Sequence, residues 1–302
     1  MTTIVFPGQG SQYIEMSKDF YNNYLEARET FDLIEETTKI NIKQIIFENP
    51  ENLLHQTQYT QLAIFCASIS IFNVLKNETN FNNENINYML GHSLGEYTAL
   101  TAAKFLSIKD CSILLKKRGE LMQNAYPANK SGMAAIIGLN CNTVEKIINI
   151  NDLKLEIAND NSPMQIVISG PILELTNSEN FFKNVGAKRF IILNVSAAFH
   201  SKLMIDAQIK MKNYIANTDF KQSKISIISN YDASISNDIN ILSKNLSEQM
   251  SNRVRWVESI KNLEKIGESS IIEIGPGKIL TGLIKRISNN FDIRNIEYIS
   301  DM

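Results

Sequence analysis

The sequence predicts an α/β fold with a parallel sheet, interrupted by a small inserted α+β domain. Two observations carry this expectation. Near the start, short apolar runs ending in glycine turns alternate with longer helical patterns, the order that builds parallel sheets. In the middle, the order changes to β-α-β-β-α-β, which is the ferredoxin-like motif.

Taken in order, Thr3-Ile4-Val5-Phe6 is a β-branched and aromatic strand running into the turn Pro7-Gly8-Gln9-Gly10. Helical patterns cover 19–39 and 61–75. A short apolar strand, Ile86 to Leu90, precedes Gly91, and 96–105 reads as a helix. The middle segment holds strands at 132–139, 155–158, 165–169 and 190–195, a short helix at 143–149, and another helix before the last strand. The expected insertion spans 126–197, and the larger domain is made of 1–125 and 198–302. Near the end, Gly275-Pro276-Gly277 is expected to turn a strand into a helix over 278–287.

With 302 residues, 44% hydrophobic and 21% charged, the chain has the composition of an ordinary globular protein. A net charge of -2 gives no basic field for nucleic acid or an anionic membrane. No basic segment followed by a long apolar run marks a secretory leader. The most apolar stretch, Leu62 to Leu75, carries serines and an asparagine and reads as a buried helix, not a membrane span. Cys66, Cys111 and Cys141 lack zinc or redox spacing, so they are expected to be reduced, in a cytoplasmic protein, or simply small buried residues. No metal-ligand constellation is evident. Neither glycine turn is followed by Gly-Lys-Ser/Thr, so neither is a phosphate loop.

Gly91-His92-Ser93-Leu94-Gly95 matches G-x-S-x-G. Between a strand and a helix, this pattern is a nucleophile elbow: a strained turn that exposes the serine, with glycines where chains pass closely. The alternative is a glycine-bounded turn with a chance serine. A serine hydroxyl needs a base, and the chain has three histidines. His92 adjoins Ser93 in a tight turn, so its side chain should diverge. His55 lies at a helix end or loop with no evident partner. His200, following a strand where the chain returns from the insertion, remains as the base. A lone histidine is more often structural than catalytic, and it is elimination and placement that single out His200.

Several segments together resemble the malonyl-CoA:acyl carrier protein transacylase family, including the stand-alone acyltransferases that serve polyketide synthases. They are Phe6-Pro-Gly-Gln-Gly-Ser-Gln12, Gly91-His-Ser-Leu-Gly-Glu-Tyr97, Lys117-Arg-Gly-Glu-Leu-Met122, Gly132-Met-Ala-Ala135, Asn161-Ser-Pro163, Gln165-Ile-Val-Ile-Ser-Gly170, Ala198-Phe-His-Ser201, Glu273-Ile-Gly-Pro-Gly277 and Leu280-Thr-Gly-Leu283. They occur in family order along almost the whole chain. The resemblance implies a hydrolase-like α/β core with a ferredoxin-like insertion. It also implies a Ser93–His200 dyad, with the histidine oriented by a backbone carbonyl, here that of Gln249, and not by Asp206. The oxyanion hole would be the amides of Gln9 and Leu94. Arg118 would hold the malonyl carboxylate through a planar fork that a lysine cannot reproduce. Without the resemblance, Lys116-Lys117-Arg118 reads as a solvated basic face. His92, Gln61 and Asn161 would line the pocket.

The implied activity moves a malonyl group from malonyl-CoA, through a malonyl-serine, to the phosphopantetheine thiol of an acidic acyl carrier protein. It needs no cofactor of its own. Ser-Ala-Ala-Phe-His and Ile-Val-Ile-Ser-Gly lean towards the polyketide-associated branch over the fatty-acid one. The competing enzyme is a hydrolase that clears acyl groups from carrier proteins, which has no use for an arginine. A carrier-docking module without catalysis would not be expected to keep Ser93, His200, Arg118 and Gln9 together. Lys188, Arg189, Lys278, Lys285 and Arg286 either attract CoA phosphates or an acidic carrier, or are ordinary solvated surface.

Overall fold

The computed structural model describes residues 2–78, 86–127 and 129–302. A six-stranded sheet runs in the order β10-β9-β1-β2-β7-β8. Its strands are β1 (Thr2–Phe6), β2 (Ile86–Gly91), β7 (Ser226–Ile228), β8 (Ile235–Ser236), β9 (Ser270–Ile274) and β10 (Asp292–Ile296). All pairings are parallel except β7 with β8. Ile4 and Phe6 enter one apolar cluster and Val5 the other. This alternation explains why the strand is apolar throughout: both faces of the sheet are covered.

The second sheet has the order β4-β5-β3-β6, all antiparallel. It is made of β3 (Ser131–Ile137), β4 (Glu156–Ser162), β5 (Gln165–Pro171) and β6 (Arg189–Ile192). Helices Cys141–Ile150 and Ile172–Asn184 complete the β-α-β-β-α-β order expected from the sequence. The edge strand β4 is tied to the larger sheet's side of the molecule. Asp160 N–H donates to Val254 O (3.0 Å), and Val254 N–H donates to Ala158 O (2.8 Å).

Several boundaries moved. The expected helix over 19–39 is two helices, Lys18–Asn23 and Leu25–Thr38, because Tyr24 between them adopts an extended backbone. The central helix starts earlier, at Thr57, and runs to Glu78. Among the described residues it is the one helix long and apolar enough to cross a membrane, but 83% of its most apolar window is buried inside the protein. That burial makes it the core helix against which the first sheet and its neighbours pack. The strand expected over 190–195 closes at Ile192. Asp206 is exposed on helix Ile205–Ala216, as a surface residue.

Close backbone contact joins β1 to the turn after β2. A Cβ on Gly95 would lie 2.3 Å from the carbonyl oxygen of Phe6, and one on Gly8 would lie 2.4 Å from that of His92. Neither partner is a side chain that can swing away. Gly95→Ala should therefore lower stability by about 1–3 kcal/mol, as overpacking does. Gly282, in helix Ile279–Ile287, has nothing within 4 Å of such a Cβ. Gly282→Ala should be neutral or stabilising by up to ~1 kcal/mol through helix propensity. Thermal unfolding of the two variants side by side checks the contrast, and equal melting temperatures would contradict it.

Candidate active site

Three neighbouring parallel strands deliver the site at their carboxyl ends, where open α/β sheets place ligands. β1 leads to Gln9, β2 to Ser93, and β7 to Asn230. Ser93 has φ 55° and ψ -107°, the strained geometry of an elbow, and opens helix Leu94–Ala102. Asn230 pins that strain from both sides: its Oδ1 accepts the Ser93 N–H (2.7 Å) and its Nδ2 donates to Gly91 O (2.7 Å).

His200 also has a positive φ, 57°, and its N–H is held by Met250 O (3.2 Å). Its ring lies between two kinds of partner. Nδ1 is 3.0 Å from Gln249 O and 3.1 Å from Asn252 O, while Nε2 is 2.9 Å from Ser93 Oγ. Carbonyl oxygens only accept, so Nδ1 carries the proton and Nε2 is left as an acceptor. Arg118 Nη2 donates to the same Ser93 Oγ (3.0 Å). With a donor already on one side, the serine's own proton must point to Nε2. This is the arrangement in which His200 can remove it.

Arg118 sits on helix Ile108–Gln123 and is 1% exposed. Lys116 and Lys117 turn away, Lys116 to Thr38 O and Lys117 to Glu120, so the basic run is not a single face. The guanidinium donates from Nη1 to Gln61 Oε1 (2.5 Å) and from Nη2 to Gln249 Oε1 (2.7 Å), and it lies over the Tyr97 ring at 5.3 Å. Its Nε has no hydrogen-bond partner. Among the described residues, no carboxylate forms an ion pair with it. A buried cation surrounded by neutral acceptors, with a donor to spare, suits an incoming carboxylate.

The remaining expected residues are placed as follows. Gln61 lies under Arg118. His92 turns from the serine, with Nε2 2.8 Å from Asn161 Oδ1 and its ring 5.5 Å from that of Trp256. Asn161 thus meets the site through His92. The Gln9 side chain donates to Thr57 Oγ1 (3.1 Å), which also receives Ser196 Oγ–H (3.2 Å). The Leu94 amide is the first of its helix, one of the N–H groups that helix geometry leaves without an intrahelical partner. His55 is exposed, and its ring contact is with Gln12 (3.5 Å). Three residues were missed by the sequence reading: Asn230, Asn252, and Glu96, whose Oε2 accepts Gln249 Nε2 (2.7 Å) and Asn230 N–H (3.1 Å). For Glu96 the signal was its place three residues after Ser93.

Burial, reinforced by the Arg118 charge, pushes the His200 pKa down to about 3 despite its two carbonyl partners. Burial likewise lowers that of His92, with Asn161 pulling the other way.

Residues 3–300 match the acyl transferase domain family. The chain is 35% identical to the malonyl CoA-acyl carrier protein transacylase of Staphylococcus aureus (strain MRSA252) over 304 residues, 100% of this chain and 97% of that one. It is 38% identical to the Bacillus subtilis (strain 168) protein of the same name over 287 residues, 94% and 89% of the two chains. The acyl-carrier-protein-S-malonyltransferase of Bartonella henselae superposes with a TM-score of 0.95 at 35% identity, covering 99% of this chain and 96% of its own. A malonyl-transacylase solved in complex with its type II PKS acyl-carrier protein superposes at 0.94, with 31% identity and coverage of 99% and 97%.

An imidazole with so low a pKa stays neutral far below the ordinary histidine range of about 6.5. Modification of Ser93 by an organophosphonate should therefore hold its rate from pH 8 down to about pH 5, with no limb near 6.5. In Arg118→Ala the limb should move to higher pH, because a neighbouring cation is lost and water enters. Folding stability should fall as pH drops below about 6.5, where the unfolded chain's histidine binds a proton that the folded one refuses. A wild-type rate that halves near pH 6.5 would contradict the burial argument.

Proposed function

Because the chain belongs to the acyl transferase domain family, we propose that it moves a malonyl group from malonyl-CoA to the phosphopantetheine thiol of an acyl carrier protein, with Ser93 as nucleophile and His200 as base. The observation that carries this reading is Arg118: a buried guanidinium whose Nη2 lies 3.0 Å from the nucleophile's oxygen and whose Nε has no partner. An acyl group esterified to Ser93 that ends in a carboxylate would reach it. One that ends in a methyl would make no hydrogen bond to the guanidinium. The same feature speaks against a hydrolase that clears carboxylate-free acyl groups.

In the first half-reaction, His200 Nε2 takes the Ser93 proton as Oγ attacks the thioester carbonyl. The oxyanion would be received by the amides of Gln9 and Leu94; the close packing of Gly8 and Gly95 joins the two turns that carry them. The tetrahedral intermediate expels the CoA thiolate, which recovers the proton from His200. A malonyl-serine ester remains, with its carboxylate on Arg118. In the second half-reaction the carrier's thiol gives its proton to His200 and attacks the ester, and Ser93 Oγ leaves with that proton. Gln249 O and Asn252 O stabilise the imidazolium that forms each time. No step calls on a cofactor of the protein's own. The carrier belongs to fatty-acid or polyketide assembly, and malonyl transfer to one carrier of each kind, measured side by side, decides which is served.

Incubation with malonyl-CoA should add one malonyl mass to the wild type and none to Ser93→Ala. Malonylation persisting in the variant would move the nucleophile elsewhere. His200→Ala should slow both half-reactions by similar factors, on the order of 10²–10⁴, measured as acylation and deacylation rates. A larger loss in His55→Ala than in His200→Ala would reverse the assignment of the base.

Arg118→Ala should lower the ratio of malonyl to acetyl kcat/KM by two or more orders of magnitude, since each hydrogen bond to a charged group contributes about 1.5–3 kcal/mol. Lysine should restore it only in part, lacking the planar fork. An unchanged ratio would reopen the choice of substrate.

A further inference from the structure

Glu96 takes no part in the steps above, yet it is 1% exposed and stands on the first turn of the nucleophile's helix. Its Oε2 accepts the Gln249 side-chain N–H (2.7 Å) and the Asn230 backbone N–H (3.1 Å). The carbonyl end of the same Gln249 amide accepts Arg118 Nη2 (2.7 Å). A buried carboxylate and a buried guanidinium thus face each other across one amide and do not touch. Gln249 also donates to Ser93 O (3.0 Å), which fixes the amide's orientation. The spacer has a consequence. A direct Glu96–Arg118 pair would occupy the fork, whereas the bridged arrangement brings opposite charge near without placing a carboxylate on the guanidinium.

We propose that Glu96 is the counter-charge of Arg118 in the substrate-free site, and that it takes up a proton from solvent when an acyl carboxylate settles on the guanidinium. The inference rests on the reading of malonyl as substrate. Above about pH 7, where Glu96 is ionised, the buried charges of the free site are one positive and one negative. A substrate carboxylate makes them one positive and two negative in surroundings of low dielectric, where like charges are costly. The substrate's carboxylate holds the guanidinium directly, so the one behind the amide is the one to be neutralised.

The other charged or titratable groups on this side do not change the direction. Asp232, exposed on the loop after β7, pushes Glu96 the same way as burial does. Tyr97 and Cys111 are pushed upward by burial and stay neutral. His200 is neutral in the site before reaction. Burial already brings the Glu96 pKa up to about 7, against its two hydrogen bonds and Arg118, so a second anion moves it further into the alkaline range.

The test compares KM for malonyl-CoA and acetyl-CoA between pH 7 and 9. For the wild type, KM for malonyl-CoA should rise with pH, by tenfold per pH unit at most for one linked proton, while that for acetyl-CoA should not follow. In Glu96→Gln an oxygen still stands where Oε2 accepts, but the charge is gone, and KM for malonyl-CoA should become flat with pH.

A second measurement needs no change at Glu96. Ser93→Ala binds malonyl-CoA at pH 8 in two buffers of different ionisation heat, followed by calorimetry. Proton uptake is expected with malonyl-CoA and not with acetyl-CoA. Absence of uptake, or a Glu96→Gln protein that keeps the wild-type slope, overturns the inference. Malonyl transfer with a flat KM sinks only the role of Glu96. No malonyl transfer at any pH sinks the substrate reading, and this inference with it.

Discussion

A guanidinium held out of water without a touching carboxylate is the constraint to which the rest of the site answers. Burying an unpaired charge is costly, and the cost is contained only by hydrogen bonds and nearby opposite charge. Arg118 obtains the first from Gln61 and Gln249 and the second, at one remove, from Glu96. The Tyr97 ring face beneath it adds a quadrupole of the right sign. The same cation helps keep His200 neutral and obliges the serine proton to face the imidazole. On the proposed function, substrate recognition and nucleophile activation therefore share a single charge.

Gln249 is where these requirements meet. Its backbone oxygen fixes the tautomer of His200, its side-chain oxygen receives Arg118, and its side-chain nitrogen reaches Ser93 O and Glu96. Such economy is available because the turn at Gln249–Ser251 ends helix Ile239–Glu248 directly against the site, so backbone and side chain of one residue point into it. The parallel sheet contributes the opposite wall. Three adjacent strand ends are rigid relative to one another, which suits groups that must hold positions to fractions of an ångström.

What was legible in the sequence follows from how local each signal is. The elbow is written in five consecutive residues between a strand and a helix, so Ser93 could be read directly. His200 could be reached by elimination, because histidines are few. Arg118 is different. In sequence it is the end of a basic run, and only the 100° step between helix residues sends it inward while Lys116 and Lys117 go elsewhere. The resemblance to a family supplied what the pattern could not. Asn230, Asn252 and Glu96 escaped because amides and carboxylates carry no periodic signature, and their meeting depends on strands and turns far apart in the chain. The break at Tyr24 escaped for a related reason: no glycine or proline marks it.

Ser93 and His200 share one further property, a positive φ in a side-chain-bearing residue. Each such conformation costs on the order of 1–3 kcal/mol and persists only where the surroundings over-determine it. Here they do. Ser93 is clamped at its N–H by Asn230 and at its carbonyl by Gln249, and His200 is clamped at its N–H by Met250 and at its ring by two carbonyls. The clamps on the two residues converge on the segment 249–252 and on Asn230, which Glu96 joins through its Oε2. The buried carboxylate that balances Arg118 is thus also a fastening of the strained elbow. Charge balance and backbone strain are held by one set of hydrogen bonds, so on the proposed function the geometry for attack is in place before a substrate arrives.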